Sequence, residues 1–372
     1  MNRTLGLTAA TLAAIGLILA LTTPAVAQSD AARAIYTSGA TIQTNIAGIH
    51  SYPEPPVDFS PLTASDEMLA TYGFPPRPDK LASPQKYATW QKAMLTAKHR
   101  QTGELKPHSE AMSHPVQLNK IQPQNTGGSG TPVTYNSLNW SGIANGNTLT
   151  KWNTKTSFNR VTSEFNVPVV QQPFGSCDGY VDWEVTWNGI DGFKNDTVLQ
   201  GGSSSQAWCN NNKASQTYYA WVEWWPSYPI IEVFSVNPGD DIYVFTYSPN
   251  GGCNPGYVYV EDMDTVTYGS WYIDWQTGPC LVGNSAEIIV ERPWGDNNGF
   301  YPLANYLLDF ALSWSLEANN SEFGPGMTTP ETYLFDMTDD KGDQVISYPV
   351  GGGRYSAYFY DANCALSGGC TF

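Results

Sequence analysis

Three short stretches carry side chains that could do chemistry. Gln200 ends the apolar run of TVLQGG (197–202), Glu223 sits among tryptophans in YAWVEWWPSYP (219–229), and Glu287 lies in NSAEIIVE (284–291). On a strand, residues two apart share a face. Glu223 then shares its face with Trp221 and Trp225, and Glu287 shares its face with Ile289 and Glu291. Two glycines follow Gln200, and they let a ligand's backbone come close. An acid or amide beside apolar groups is costly to bury unless a partner satisfies it. Each of these three side chains therefore reads either as a structural hydrogen bonder or as part of a site.

Composition removes most other mechanisms. All four histidines (His50, His99, His108 and His114) precede residue 126. The acidic remainder has none, so Ser-His-Asp and Cys-His catalysis cannot operate from it. A CxxC is absent, and zinc would have to rely on carboxylates alone. The paired Asp-Thr/Ser-Gly motifs of an aspartic protease are missing, as are GxGxxG and the P-loop. The acidic turn 336–343 lacks EF-hand spacing and reads as a solvated hairpin. No metal and no cofactor is expected.

Charge divides the chain. The 372 residues carry a net charge of −16. Residues 28–125 hold nine Lys/Arg and eight Asp/Glu, while the part from 126 onward holds eight Lys/Arg and 26 Asp/Glu. So acidic a surface repels phosphates, which disfavours nucleic-acid binding. In acid its carboxylates neutralise, few positive charges remain, and self-repulsion stays small. The composition suits an acidic medium.

The first 27 residues read as a secretory signal peptide. Arg3 supplies the positive start, residues 5–21 are almost all apolar or small, and Ala25-Val26-Ala27 fits the cleavage rule. No later apolar run is long enough to span a membrane. Six cysteines in an exported chain suggest three disulfides. Pairing in sequence order (Cys177–Cys209, Cys253–Cys280, Cys364–Cys370) would clamp a hairpin or short loop each time.

Residues 28–80 have no clear period. Over 83–100 a basic helix is expected: Ser83 as N-cap, Pro84 as first helical residue, and Tyr87, Trp90 and Met94 on one face. Residues 121–132 read as a linker. A removable prosegment with its linker, 28–130, is the expected arrangement, a small extra domain the alternative. From 131 to 372 the chain reads as strands. DWEVTW (182–187) alternates, and DDIYVFTYS, GYVYVED, GSWYIDW, SAEIIVE, ETYLFDM and QVISYPV are rich in aromatic and β-branched residues between turn signals. The pattern predicts an all-β antiparallel sandwich of two packed sheets.

At these stretches the sequence resembles the glutamic peptidase (eqolisin) family, secreted endopeptidases active in acid. The segments NWSGIA (139–144), VTSEFNVPVV (161–170), WNGIDG (187–192), TVLQGG, YAWVEWWPSYP, GDDIYVFTY (239–247) and NSAEIIVE follow in family order. The resemblance covers about residues 136–350 and implies a lectin-like sandwich with a cleft on its concave face. It implies a catalytic pair of Gln200 and Glu287, with Trp140, Trp187, Asp191, Trp221 and Glu223 around the substrate. Asn188, Gly201 and Ile288 depart from the usual family residues and bear on subsite preference. Glu287 would take a proton from water and return it to the leaving amine, while Gln200 would stabilise the tetrahedral oxyanion. The implied protein is a monomeric, secreted zymogen acting on polypeptides, with its own prosegment as inhibitor. The basic prosegment would be drawn to the acidic domain at neutral pH and released as carboxylates protonate. The alternatives are a glycoside hydrolase using Glu223 and Glu287, and a carbohydrate-binding module. Asn139 and Asn195 begin glycosylation sequons, as does Asn319.

Overall fold

The structure is a computed structural model, and it describes residues 41–101, 103–119, 132–173, 177, 179–295, 298–306, 309–318, 321–323, 331–350 and 357–362. The expected signal peptide, the linker, the Cys364–Cys370 bridge and the Asn319 sequon lie outside them.

Alternating strands build two sheets. The first, the cleft sheet, runs in hydrogen-bonded order Val133–Ser137, Glu331–Thr338, Trp140–Gly146, Ser285–Glu291, Val181–Ile190, Val198–Asn210, Lys213–Trp225 and Ile230–Ser235. Its only parallel pair is the outermost, Val133–Ser137 with Glu331–Thr338. The second, the tyrosine sheet, orders Asp309–Ala318, Phe158–Asn166, Asp241–Tyr247, Gly256–Asp262 and Thr267–Ile273, all antiparallel. Val345–Val350 and Ala357–Asp361 link the two sheets along one side.

Period-two side-chain direction separates three layers. Between the sheets lie Ile190, Leu199, Val222, Trp224, Ile288 and Val290 from one side and Val161, Phe165, Val244, Val258 and Trp271 from the other. Each such side chain stabilises the fold by roughly 1.5–3 kcal/mol when fully buried. The alternate residues Trp187, Val198, Trp221 and Ile289 face outward into a second cluster on the concave side. On the far face of the other sheet, Tyr243, Phe245, Tyr247, Tyr257, Tyr259 and Tyr268 form a third.

This alternation corrects one expectation. Asn188, Gly201 and Ile288 do not flank the site; they project between the sheets. The Asn188 amide donates to Ser163 Oγ and Val244 O and accepts from Thr246 Oγ1. A Cβ on Gly201 would stand 2.5 Å from Val258 Cγ1. Ile288 belongs to the inter-sheet cluster. The departures thus bear on core packing, not on subsites.

The described residues between 41 and 119 wrap both outer faces. Helix α1 (Asp66–Thr71), capped by Ser65, has no counterpart in the sequence reading. Helix α2 spans Pro84–Thr96. It stops short of 100 because His99 and Arg100 pair in parallel with the strand Thr267–Ile273. Pro84 opens it as expected, whereas Ser83 makes no side-chain cap bond. Trp90, Met94, Leu69, Phe74 and Tyr52 pack on the tyrosine face. Lys92 pairs with Glu164 and, at 2.9 Å, with Asp241. The chain then crosses to the cleft sheet. Lys106–His108 adds to the edge at Ile230–Glu232, and Ala111–Met112 pairs with Trp294–Gly295. Cys177–Cys209 and Cys253–Cys280 are bonded, as their order suggested.

Candidate active site

Four strands of the cleft sheet carry the site. Gln200 stands opposite Glu223 on one neighbour and opposite Gly189 on the other. Gly189 in turn stands opposite Glu287, and Val185 opposite Glu291. Gly189 has no side chain, and the Trp187 ring fills the space above it: a Cβ there would stand 2.8 Å from Trp187 Cζ3.

The polar groups converge through residue 113. Gln200 Nε2 donates to Glu223 Oε2 at 2.6 Å. Ser113 Oγ contacts Gln200 Oε1 at 3.2 Å and also donates to Glu291 Oε2. The backbone N–H of His114 donates to Glu291 Oε1 at 2.8 Å. Trp187 Nε1 donates to Glu291 Oε2 at 2.9 Å, and Asn139 Nδ2 to Glu291 Oε1 at 3.1 Å. Trp140 Nε1 and Asn139 Nδ2 hold the His114 carbonyl at 2.9 and 3.0 Å. One carboxyl, Glu291, thus gathers four donors, and an amide, Gln200, reaches it through a single hydroxyl.

Glu287 stands elsewhere. Its backbone is only two strands from Gln200, about 9.5 Å, yet its side chain does not join the cluster. Both its carboxyl oxygens are buried, and its neighbours are the Ser285 hydroxyl and Asp191. Burial pushes its pKa well up, against the pull of Ser285. The expected Gln200–Glu287 pairing gives way to Gln200–Ser113–Glu291. The signal was present in the sequence: Glu291 lies two residues beyond Ile289 on the face of Glu287, about 13 Å further along the strand.

Electrostatics fit a site sealed from water. Burial and the nearby Glu291 push Glu223 well above the usual carboxylate range, although the Gln200 amide pulls it down. Burial likewise raises Glu291 to about 8, against the pull of His114 N–H, Ser113, Asn139 and Trp187.

The remaining residues divide by role. Trp187 and Trp140 meet edge to face at 5.1 Å between centroids and line the cluster. Trp221 is buried on the same face, and its Nε1 has no hydrogen-bond partner among the described residues. Asp191 is a correction: its carboxyl accepts from the N–H groups of Val282, Gly283 and Asn284 at 2.6–2.9 Å. It fixes the turn that launches the Ser285–Glu291 strand. Its φ of 72° is adopted by few non-glycine residues. Asn139 is buried and bonded within the site, which excludes a glycan there.

Among the described residues no helix is long and apolar enough to cross a membrane. Scytalido-glutamic peptidase with a transition state analog inhibitor is similar at 20% identity and a TM-score of 0.46, over 59% of this chain and 97% of that one. SCP-B, a member of the eqolisin family in complex with the tripeptide Ala-Ile-His, is similar at 18% identity and 0.45, over 59% and 96%. Aspergilloglutamic peptidase from Aspergillus niger gives 21% identity and 0.40, over 48% and 99%. No curated protein matches the chain. The Peptidase A4 family model matches residues 138–341, more than half of the chain and every strand of the site, and the chain belongs to this family, the glutamic peptidases.

Proposed function

We propose that the protein is a secreted acid endopeptidase, made as a zymogen, in which Gln200 and Glu291 act as the catalytic pair. The observation that carries this reading is the Ser113 hydroxyl between Gln200 and Glu291, with the His114 N–H on the same carboxyl. A peptide bond thus lies against the pair, and a hydroxyl stands where the attacking water would be.

The chemistry follows from these atoms. Glu291 takes a proton from a water held by Gln200 Oε1, and the water attacks the carbonyl carbon. The oxyanion accepts from the Gln200 N–H that Glu223 does not engage. Glu291 then passes its proton to the departing nitrogen, at the position of His114 N. Glu223 orients the amide as a positioning residue. Once the prosegment leaves, water returns and burial no longer holds Glu291 near 8. Trp187 Nε1 and Asn139 Nδ2 remain and favour its ionised form in acid. An amide partner keeps its hydrogens at any pH, and neither metal nor histidine is called on.

Residues 28–130 act as the inhibitor. They cover the cleft from Lys106 to Gln117 and brace on the opposite face through α2. Residues 1–27 direct export, and 131–372 form the monomeric enzyme. Two carboxylates paired for a glycosidase, Glu223 with Glu287, find no support in the contacts.

The test is cleavage of a denatured protein between pH 2 and 7, with a pepstatin control. Gln200→Ala and Glu291→Gln should each abolish an acid, pepstatin-insensitive activity. Glu287→Gln should retain most of it. A dead Glu287→Gln beside an active Glu291→Gln would return the base to Glu287.

A further inference from the structure

Prosegment residue 114 occupies a feature that the chemistry does not use. Its imidazole lies 4.7 Å from the Trp225 ring and 5.9 Å from the Trp294 ring, centroid to centroid. These two indoles are half-buried, unlike Trp140, Trp183, Trp187, Trp221 and Trp224, which are wholly buried. The Trp225 backbone carbonyl accepts from Thr197 Oγ1 at 3.0 Å, and the Trp294 ring meets Phe300 edge-on at 4.8 Å; the Trp294 strand also pairs with prosegment residues 111–112. Removing the prosegment would expose both indole faces.

The backbone fixes which substrate residue would follow. His114 N donates to Glu291 Oε1, and the His114 carbonyl is held by Trp140 Nε1 and Asn139 Nδ2. The nitrogen of residue 114 is thus at the place where a leaving nitrogen is protonated. Resting on the peptidase reading above, we infer that Trp225 and Trp294 form a specificity subsite for the substrate residue that supplies the leaving nitrogen, and that it takes flat rings: Phe, Tyr, Trp or His. Aromatic rings gain from tilted and edge contacts at these separations. A neutral imidazole packs on the indoles in the same way; burial lowers the His114 pKa against the pull of the Pro115 carbonyl and Asp196.

The experiment uses the mature, processed enzyme. Fragments of a denatured protein cleaved in acid are sequenced by mass spectrometry, and the residue at each new N-terminus is counted. Phe, Tyr, Trp and His should be enriched there. Two peptides differing only in Phe or Ala at that position then give a ratio of kcat/KM. That ratio should fall roughly tenfold in Trp225→Ala or Trp294→Ala and recover in Trp225→Phe. New N-termini without ring bias in the wild type, or a ratio that survives both alanine variants, overturn the subsite while leaving the peptidase reading intact. No cleavage at all by processed wild type would instead defeat the peptidase reading, and the subsite with it.

Discussion

Two faces of this molecule are covered by the same leading segment, and each buries a glutamate whose pKa is pushed up to about 8. Glu291 lies in the cleft, and Glu261 lies under α2 on the tyrosine sheet. By burial and titration alone they are alike. Their partners differ. Glu261 accepts from Tyr259 OH and Thr96 Oγ1, both at 2.7 Å, and no amide side chain or free peptide group joins them. Around Glu291 gather the side-chain donors Asn139 and Trp187, a peptide N–H and a hydroxyl shared with Gln200. A perturbed carboxyl marks only a desolvated place. A convergence of donor, acceptor and scissile-like backbone marks a place for chemistry.

The comparison breaks most sharply under substitution. Glu291→Gln or Gln200→Ala should cost ~10³-fold or more in kcat. Glu261→Gln should leave the processed enzyme's kcat as it was, and steady-state assays on the same substrate decide it. Should the two glutamates lose activity alike, the contrast between the faces is wrong.

Stability should answer in the opposite sense. A carboxyl whose pKa rises on folding supports the fold fully below its unfolded value, near ~4.5, and loses that support as pH rises through about 8. Glu261→Gln removes a group that resists charging, so the zymogen should gain about 3 kcal/mol at pH 7 and little at pH 4. Urea unfolding at both pH values measures this. Wild-type zymogen should likewise melt at a higher temperature at pH 4 than at pH 8, since Glu261 and Glu291 titrate in the same direction. A higher melting temperature at pH 8 would contradict it.

The smallest effect concerns the ion pairs of α2. Lys92→Ala should cost about 1 kcal/mol or less, because that side chain is half exposed. This modifies the expectation that acid releases the prosegment by weakening charge attraction. Burial also raises Glu164, more than Lys92 lowers it, so protonation there favours the packed state. Prosegment release measured at pH 3 and pH 7 in Lys92→Ala separates the two terms: an electrostatic latch predicts faster release of the variant at pH 7 only.

Much of the fold was legible because period-two alternation is a local property. Trp183, Val185 and Trp187 fall on one face in the sequence and on the cleft face in space. The same parity marks Gln200, Glu223, Glu287 and Glu291 as facing one way. Helix α1 was missed because six residues hold too little pattern to read, and α2 was drawn long because the pairing of His99 and Arg100 is non-local. Asp191 was assigned to the substrate because a motif does not say where a carboxyl points.

The sequence by itself determined the class of chemistry, the all-β sandwich and the face on which the carboxylates stand, since composition and alternation belong to the chain. Only the tertiary structure shows which of Glu287 and Glu291 is linked to Gln200. Both occupy the same face of one strand, and the choice depends on which side chain meets donors carried by Ser113, His114, Asn139 and Trp187. Those donors come from parts of the chain up to 178 residues away, and no local pattern records such a meeting.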